Sequence, residues 1–319
     1  MPFFIDWQLV VAAVRFWLAG GDPYGPFPRL NGQITFVGAF AYPPPLLLLG
    51  VPLALLPYWL SGALMTLLAV VGFEVSARRS GAGRSALIWL VLWLPLAQGL
   101  WIGQLTLISL VGLVLAELAY RRGQDRLAGL LLALAILKPQ TAILPAAWLL
   151  VVALRGRRWG LLASFAALSA ALWLGPILVS GPQIYAQWLV GLDGYDQFLP
   201  NRPLLFPPLG PLLGAMALLL WQRHGRGDLF GLALLLNTLA YPLSVIYVAT
   251  AVALVVIRWS PRWPWYPLAL SWAIPMIFPL AVRTPDTIAG LTQAIIATGL
   301  LAGLLPPLPW PHRRPPMLQ

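Results

Sequence analysis

Long apolar runs interrupted by short arginine clusters are the feature that most limits how this chain can fold. The clusters lie within residues 78–84, 121–126, 155–158, 223–226, 258–262 and 312–314, and 60% of the 319 residues are hydrophobic. A bilayer crossing needs about 20 apolar residues, so nearly the whole length is committed to crossing a membrane. We predict one all-α polytopic membrane domain over residues 1–319, with no sizeable soluble domain.

The arginine clusters also predict an orientation, because basic loops stay on the cytoplasmic side of a membrane. Alternation of the connections then gives about eleven transmembrane helices in a bundle over residues 58–305. Residues 306–319 become a cytoplasmic tail, and the protein is expected to be multi-pass in the cell membrane. The same rule explains the net charge of +11, so we expect membrane lipids as partners and no nucleic acid.

Cysteine and histidine usage excludes several chemistries. The chain has no cysteine, which rules out disulfides and thiolate metal sites. Its two histidines, His224 and His312, are isolated in basic loops without metal-ligand spacing. We therefore expect no bound metal and no cofactor.

Two hairpins are too short for full crossings. About thirty residues separate Arg126 from Arg155, and Asp228 from Arg258, whereas two spans need about forty. Their turns hold Lys138-Pro139-Gln140 and Tyr241-Pro242-Leu243-Ser244, and irregular polar backbone below the membrane surface is tolerated only beside protein or a water-filled cavity. We predict that both turns border one cavity that opens outward.

Residues 1–57 are expected to form an external loop region. Residues 7–19 resemble a short helix but carry Gln8 and Arg15, which favours a position in the membrane interface. Residues 20–45 form a turn-rich loop, and 46–57 a re-entrant or in-plane piece. The connection 181–202 is expected to be another external loop, with Asp193 and Asp196 solvated. Because no helix precedes the external N-terminus, we expect that a first helix is missing from this reading frame.

Asp6 and Lys138 are the strongest candidates for chemistry. A carboxylate at the start of the interfacial helix, facing an aqueous cavity, is well placed to act as a general base; the alternative is a helix N-cap. Lys138 is the only lysine, and it lies at the tip of an apolar hairpin. Its natural partner is a lipid phosphate, and the alternative is a lysine that snorkels to the membrane surface.

Gln104 and Arg283 are candidates on the same predicted face. Gln104 follows Gly103 at a predicted helix break, where its amide could hold sugar hydroxyls or a phosphate oxygen; an incidental residue beside a helix-ending glycine is equally consistent. Arg283 could bind a phosphate or anchor a span at the interface. Trp7 and Trp101 are candidates for stacking on sugar rings.

Four short motifs follow one another on this predicted external face. They are Asp6-Trp7 continuing to Gly20-Gly21-Asp22-Pro23-Tyr24, then Tyr42-Pro43-Pro44, Gly103-Gln104 and Leu137-Lys138-Pro139. Their order and spacing resemble the polyprenol-phosphate-mannose-dependent mannosyltransferases of glycosyltransferase family 87, in the GT-C superfamily. The resemblance implies a GT-C-like bundle with an external interfacial helix and loop.

The resemblance further implies an inverting, metal-independent transfer of a hexose, mannose in the family, from a polyprenyl-phosphate donor to a hydroxyl of a glycolipid or glycan on the external face. Asp6 would be the base, and Lys138, Gln104 and Arg283 would bind donor phosphate or sugar. Possible substrate contacts are Asp22, Tyr24, Tyr42, Gln140, Tyr241 and Ser244. The chain departs from the family pattern in the later hairpin, where relatives often carry a histidine.

Two alternatives belong to other classes. A non-catalytic lipid or sugar carrier could use the same cavity, although both hairpins turn on one face, unlike the inverted repeats of many transporters. An inactive truncated paralogue would explain the missing first helix.

Overall fold

The computed structural model describes residues 3–79, 84–196, 202–260, 266–277 and 284–305. The α-helices of these ranges are α1 (Ile5–Leu18), α2 (Pro45–Ala54), α3 (Tyr58–Arg79), α4 (Arg84–Leu92), α5 (Leu94–Ile102), α6 (Leu105–Arg121), α7 (Asp125–Ala135), α8 (Pro139–Arg155), α9 (Trp159–Ser180), α10 (Gln183–Asp196), α11 (Gly210–Leu220), α12 (Leu229–Ala240), α13 (Thr250–Trp259), α14 (Tyr266–Ile277) and α15 (Pro285–Leu304). A π-helical turn, Trp221–Gly225, extends α11, and a 3-10 turn, Ile246–Ala249, leads into α13.

The predicted all-helical class is confirmed, since the described ranges contain helices, turns and one isolated bridge between Pro28 and Ile34. By length and composition, three described helices could cross a membrane: α3, α9 and residues 286–304 of α15. The bent pair of α5 and α6 raises this number to four when it is counted as one span. The count of about eleven crossings is therefore not confirmed.

The N-terminal helices α1 and α2 pack as a pair. Trp7, Val10 and Val14 of α1 are buried, and the Arg15 guanidinium donates to the carbonyl oxygens of Ala54 and Leu56, both at 2.8 Å. A cation that binds the last carbonyls of a helix satisfies groups that the helix cannot pair itself. Arg15 thus holds α1 against the end of α2, and the interfacial position of α1 stays a prediction.

The helix break expected at Gly103 is confirmed. Helices α5 and α6 meet there at 116°, and Gly103 has φ of 71°, a left-handed conformation that glycine adopts without steric cost. A Cβ at this position would lie 2.8 Å from Cβ of Trp7. The Phe4 amide also donates to the Trp101 carbonyl at 2.8 Å. The break therefore brings the start of α1 against the end of α5.

The two short hairpins pack side by side. Helices α7 and α12 have 11 and 12 residues, about 16 to 18 Å at 1.5 Å per residue, which is shorter than a bilayer core of about 30 Å. Asn237 of α12 donates to the Gln140 carbonyl at 2.8 Å and accepts from the Leu144 amide at 3.0 Å. One side chain thus joins the second hairpin to the first two turns of α8.

Residues 181–202 are not the simple external loop that we expected, because 14 of them form α10. The helix buries Ile184 and Gly191, and a Cβ on Gly38 of the N-terminal loop would lie 2.1 Å from the Gly191 carbonyl oxygen. Close packing of Gly38 against Gly191 therefore stabilises α10, whose own sequence is not strongly apolar. Asp193 and Asp196 are exposed, as predicted, but on a helix rather than a loop.

Candidate active site

A buried amide joins a carboxylate to an ammonium at the break between α5 and α6. The Gln104 Nε2 group donates to Asp6 Oδ2 at 2.6 Å, and Gln104 Oε1 accepts from Lys138 Nζ at 2.5 Å. Gln104 is 4% exposed and Lys138 is 7% exposed. The structure thus brings Asp6, Gln104 and Lys138 together, three residues that are more than 130 positions apart in sequence at their extremes.

Each of the three residues is placed by a helix end. Asp6 lies in the first turn of α1, where Phe4 is the N-cap, so its carboxylate does not act as the cap that we considered. Gln104 is the N-cap of α6, and Lys138 is the N-cap of α8. Trp7 Nε1 donates to Ser61 Oγ at 2.8 Å, which fixes α1 against α3. Helix termini leave backbone groups unpaired, so polar side chains gather at such a junction.

Tyr42 completes the polar cluster from the N-terminal loop. Its hydroxyl donates to Gln104 Oε1 at 3.0 Å and lies 3.4 Å from Lys138 Nζ, and the ammonium is 4.8 Å from the centre of its ring. Tyr24 is buried and donates to the Tyr42 carbonyl at 3.1 Å. A cation over an aromatic ring is stabilised by the ring's negative face. The Lys138 ammonium is thus held inside the protein rather than snorkelling to its surface.

Two tyrosines of this site were not among the predicted residues. The Tyr247 ring lies 5.5 Å from Lys138 Nζ, and Tyr247 is hydrogen-bonded to Tyr195. Tyr247 lies in the 3-10 turn that follows the hairpin turn at Tyr241, and only this nearness to the hairpin turn could have indicated it. Tyr195 could not be found from sequence because it lies on α10, within the segment expected to be a loop.

The Asp6 carboxyl is tuned to exchange protons near neutral pH. Burial raises its pKa from 3.8 to about 6, and the nearby positive charge of Lys138 opposes this rise. A general base works best when its pKa is close to the working pH. Among the described residues, none donates to the second carboxylate oxygen, Oδ1, so this oxygen is free to accept a proton.

An apolar cavity of about 330 Å³ runs from this cluster between the helices. Its polar end is formed by Tyr42 and Lys138, with Ser109 also in the wall. Its remaining walls are almost entirely apolar and include Leu46, Leu49, Leu53, Met65, Leu68, Leu105, Ile108, Val111, Leu115, Leu131, Leu134 and Leu137. The stretch of α6 from Leu105 to Leu115 is about 15 Å long. The cavity therefore has the shape and lining for a hydrocarbon chain whose polar end meets Lys138.

The other predicted substrate contacts make no hydrogen bond to Asp6, Gln104 or Lys138 among the described residues. Gln140 follows Lys138 in α8, and its Oε1 atom is buried without a partner among the described residues. Ser244 is buried and donates to the Arg202 carbonyl at 2.5 Å, while Tyr241 packs on the main apolar core. Asp22 is exposed and accepts from the Tyr24 amide at 2.9 Å, with no bond to Asp6 or Lys138. Arg283 lies outside the described residues.

Fold and site together define a class: an all-helical protein with helices apolar enough to cross a membrane and a buried acid–amide–cation cluster at the end of an apolar cavity. Residues 40–281 match the sequence model of glycosyltransferase family 87. This match covers well over half of the chain, and the chain therefore belongs to glycosyltransferase family 87. No curated protein and no solved structure matches it.

The range of the family match covers only part of the predicted site. Tyr42, Gln104 and Lys138 lie inside the matched residues, whereas Asp6, Asp22 and Tyr24 precede them. The position of Asp6 in the site rests on the contact with Gln104. Among the described residues, no group of three or more His, Asp or Glu side chains could hold a metal ion.

Proposed function

We propose that this glycosyltransferase transfers a hexose, with mannose as the leading candidate, from a polyprenyl-phosphate donor to a hydroxyl of a glycolipid or glycan. The observation that carries the proposal is the apolar cavity whose polar end is Lys138 and Tyr42. A phosphate attached to a long hydrocarbon chain needs both an apolar cavity and a cation at its mouth. The one lysine of the chain supplies this cation at that position.

The reaction is a displacement at C1 of the sugar. The acceptor oxygen forms a bond to C1 while the bond from C1 to the phosphate oxygen breaks, which inverts the configuration. The hydroxyl proton passes to Asp6 Oδ1, and the electron pair of the broken bond leaves on the polyprenyl phosphate. Lys138 stabilises the negative charge that develops there, and the departing phosphate needs no protonation at neutral pH.

Gln104 acts as a positioning residue between these two groups. It bonds to Asp6 through its nitrogen and to Lys138 through its oxygen, so it sets the distance between base and cation. Alignment of reacting groups of this kind lowers the barrier because the orientation is fixed before the reaction begins. Gln140 stays a proposed substrate contact, although its buried and unpaired Oε1 atom would reach a sugar hydroxyl only after the side chain moves.

The proposal includes an orientation in the membrane. The Asp6–Lys138 site faces the exterior of the cell, the arginine-rich loops and the C-terminus face the cytoplasm, and about eleven crossings make up the bundle. It also includes a reaction without a metal, since Asp6 accepts the proton of the acceptor hydroxyl and Lys138 stabilises the negative charge of the departing phosphate. Chelation with EDTA is expected to leave turnover unchanged.

The test measures product formation by purified protein in liposomes. Radiolabelled polyprenyl-phosphate-mannose is the donor, and mannose-terminated oligosaccharides and a total membrane lipid extract serve as acceptors. Asp6→Asn is expected to lower turnover at least 100-fold, the lower end of the effect of a general base. Asp193→Asn removes an exposed aspartate with no partner among the described residues and should retain wild-type turnover.

A second variant tests donor binding. Lys138→Met removes the charge but keeps the length of the side chain, and it is expected to raise KM for the donor. Turnover by Asp6→Asn equal to that of Asp193→Asn would remove the proposed base. Donor binding without any transferred sugar in the wild type would favour the carrier alternative instead.

A further inference from the structure

A second cavity lies at the opposite end of the helices from the Asp6–Lys138 site. It has a volume of about 430 Å³ and is lined by Arg79, Arg121, Arg258 and the segment from His224 to Asp228. Helix α6 runs from Leu105, next to Gln104, to Arg121, and its 17 residues extend over about 25 Å. The polar cluster around Gln104 and the arginines of the second cavity are therefore separated by most of the thickness of a bilayer core.

A buried ion-pair network makes one wall of this cavity rigid. Arg258 Nη2 donates to Glu117 Oε1 at 2.9 Å and to Asp228 Oδ1 at 3.1 Å. Glu117 has no exposed surface and also pairs with Arg121. Trp259 Nε1 donates to Asp228 Oδ2 at 2.9 Å. The Arg258 guanidinium is hydrogen-bonded to two carboxylates, which fixes its orientation in the wall of the cavity.

The charges around the cavity do not balance. Four arginines line it, Arg79, Arg121, Arg226 and Arg258, against one carboxylate, Asp228. Among the described residues, Glu117, behind the wall, is the only other acid in the network, which leaves two positive charges in excess. Arg79 and Arg226 are exposed and have no ion-pair partner among the described residues. Orientation in the membrane requires arginines at this end, but it does not require four of them to share one concave surface.

A π-helical turn contributes residues to the rim of the cavity. Residues Trp221–Gly225 form a π-helical turn, a rare widening of the helix that often occurs at functional sites. His224 of this turn lines the cavity. Gly225 packs so closely on the Trp259 ring that a Cβ would lie 2.5 Å from it. The π-helical turn packs against Trp259 through Gly225, and its residue His224 lines the same cavity as Arg79 and Arg226.

We propose that this cavity is a binding site for a phosphate group, separate from the donor site. Guanidinium groups bind phosphate oxygens in pairs of parallel hydrogen bonds, and phosphate is the anion present where helix ends meet lipid head groups. Arg79 and Arg226 bind the phosphate, and the network around Arg258 supports the wall behind it. The phosphate comes from an anionic phospholipid or from solution, and the two sources are separable by experiment.

The test compares both sources on the purified full chain. Native mass spectrometry measures retention of phosphatidylglycerol against phosphatidylcholine, and thermal unfolding measures stabilisation by inorganic phosphate against chloride at equal ionic strength. The variant is Arg79→Gln combined with Arg226→Gln. Its matched control, Arg155→Gln combined with Arg157→Gln, removes two exposed arginines of the same end that do not line the cavity.

We expect the wild type and the control to bind one of these probes about thirtyfold more tightly than the variant, because each of its two missing arginines contributes about 1 kcal/mol near a membrane surface. A phosphatidylglycerol preference that the variant loses supports a lipid source. Stabilisation by phosphate that the variant loses, without a lipid preference, supports a soluble source. Equal binding by variant and control, or no response of the wild type to either probe, overturns the proposal.

Discussion

Gln104 connects the proposed base to the proposed cation at the scale of single residues. Its side chain makes three hydrogen bonds, to Asp6, Lys138 and Tyr42, within 3.0 Å. An amide suits this position because it offers a donor at one end and an acceptor at the other. A carboxylate there would repel Asp6, and an apolar side chain would leave both charged groups unpaired in a buried site.

The raised pKa of Asp6 predicts how activity depends on pH. Since the pKa is about 6, the carboxylate loses its capacity to accept a proton as the pH falls below that value. We expect kcat/KM to be about tenfold lower at pH 5 than on the plateau above pH 7. Initial rates of sugar transfer between pH 4.5 and 8.5 measure this profile, and a flat profile down to pH 5 would contradict the role of Asp6.

The free energy of unfolding, measured over the same pH range, shows whether activity at low pH is lost through unfolding. The folded protein holds the Asp6 proton up to a pH of about 6, whereas the unfolded chain releases it near 3.8. Between these values the folded state binds more protons, so the contribution of Asp6 to the free energy of unfolding increases as the pH falls. Loss of activity at pH 5 should therefore not be accompanied by a loss of stability that originates at Asp6.

Gly103 at the α5–α6 break carries the next prediction, at the scale of helices. Gly103→Ala adds a Cβ that would lie 2.8 Å from Trp7, at a positive φ, and we expect it to destabilise the protein by about 1 to 3 kcal/mol. Gly290→Ala is the matched control, because nothing lies within 4 Å of a Cβ at Gly290 in α15. Thermal unfolding should show a lower Tm for the first variant alone.

Asn237 joins the two short hairpins, and it provides a second prediction at this scale. Asn237→Leu keeps the branched shape of the side chain but leaves the Gln140 carbonyl and the Leu144 amide without the partner that they have now. An unpaired buried polar group costs about 1 to 3 kcal/mol. We expect a lower Tm together with a higher KM for donor, since α8 positions Lys138 at its N-cap. An unchanged KM would mean that the hairpins are positioned independently.

Sequence reasoning predicted those elements whose signal is local. The glycine break, the short hairpins and the start of α3 at Tyr58 follow from spacing and apolar length alone. Helix α10 was missed because it is stabilised by contacts with the N-terminal loop rather than by its own residues. Asp6, Gln104 and Lys138 were selected as candidates because each is an unusual polar residue in an apolar context, and the structure brings them together. Tyr195 and Tyr247 were not, since tyrosine is common at helix ends in membrane proteins.

The whole molecule combines an apolar interior path with polar groups at its two ends. The polar end of the proposed donor cavity is at Lys138, which contacts Gln104, and the arginines of the second cavity lie about 25 Å from Gln104 along α6. The chain belongs to glycosyltransferase family 87, and the first of these sites is the one that we propose for sugar transfer. The two cavities have different lining, one mainly apolar and one mainly charged, so a single lipid is not expected to occupy both.

The most direct measurement of the donor site is a cryo-electron microscopy map of the protein in lipid nanodiscs with polyprenyl-phosphate-mannose. We predict density for the phosphate within about 4 Å of Lys138 Nζ, the distance of an ion pair, with the prenyl chain between α2, α6 and α7 and the sugar beside Asp6. Donor density at the surface of the bundle or in the arginine-lined cavity, with the space beside Lys138 empty, would contradict the account.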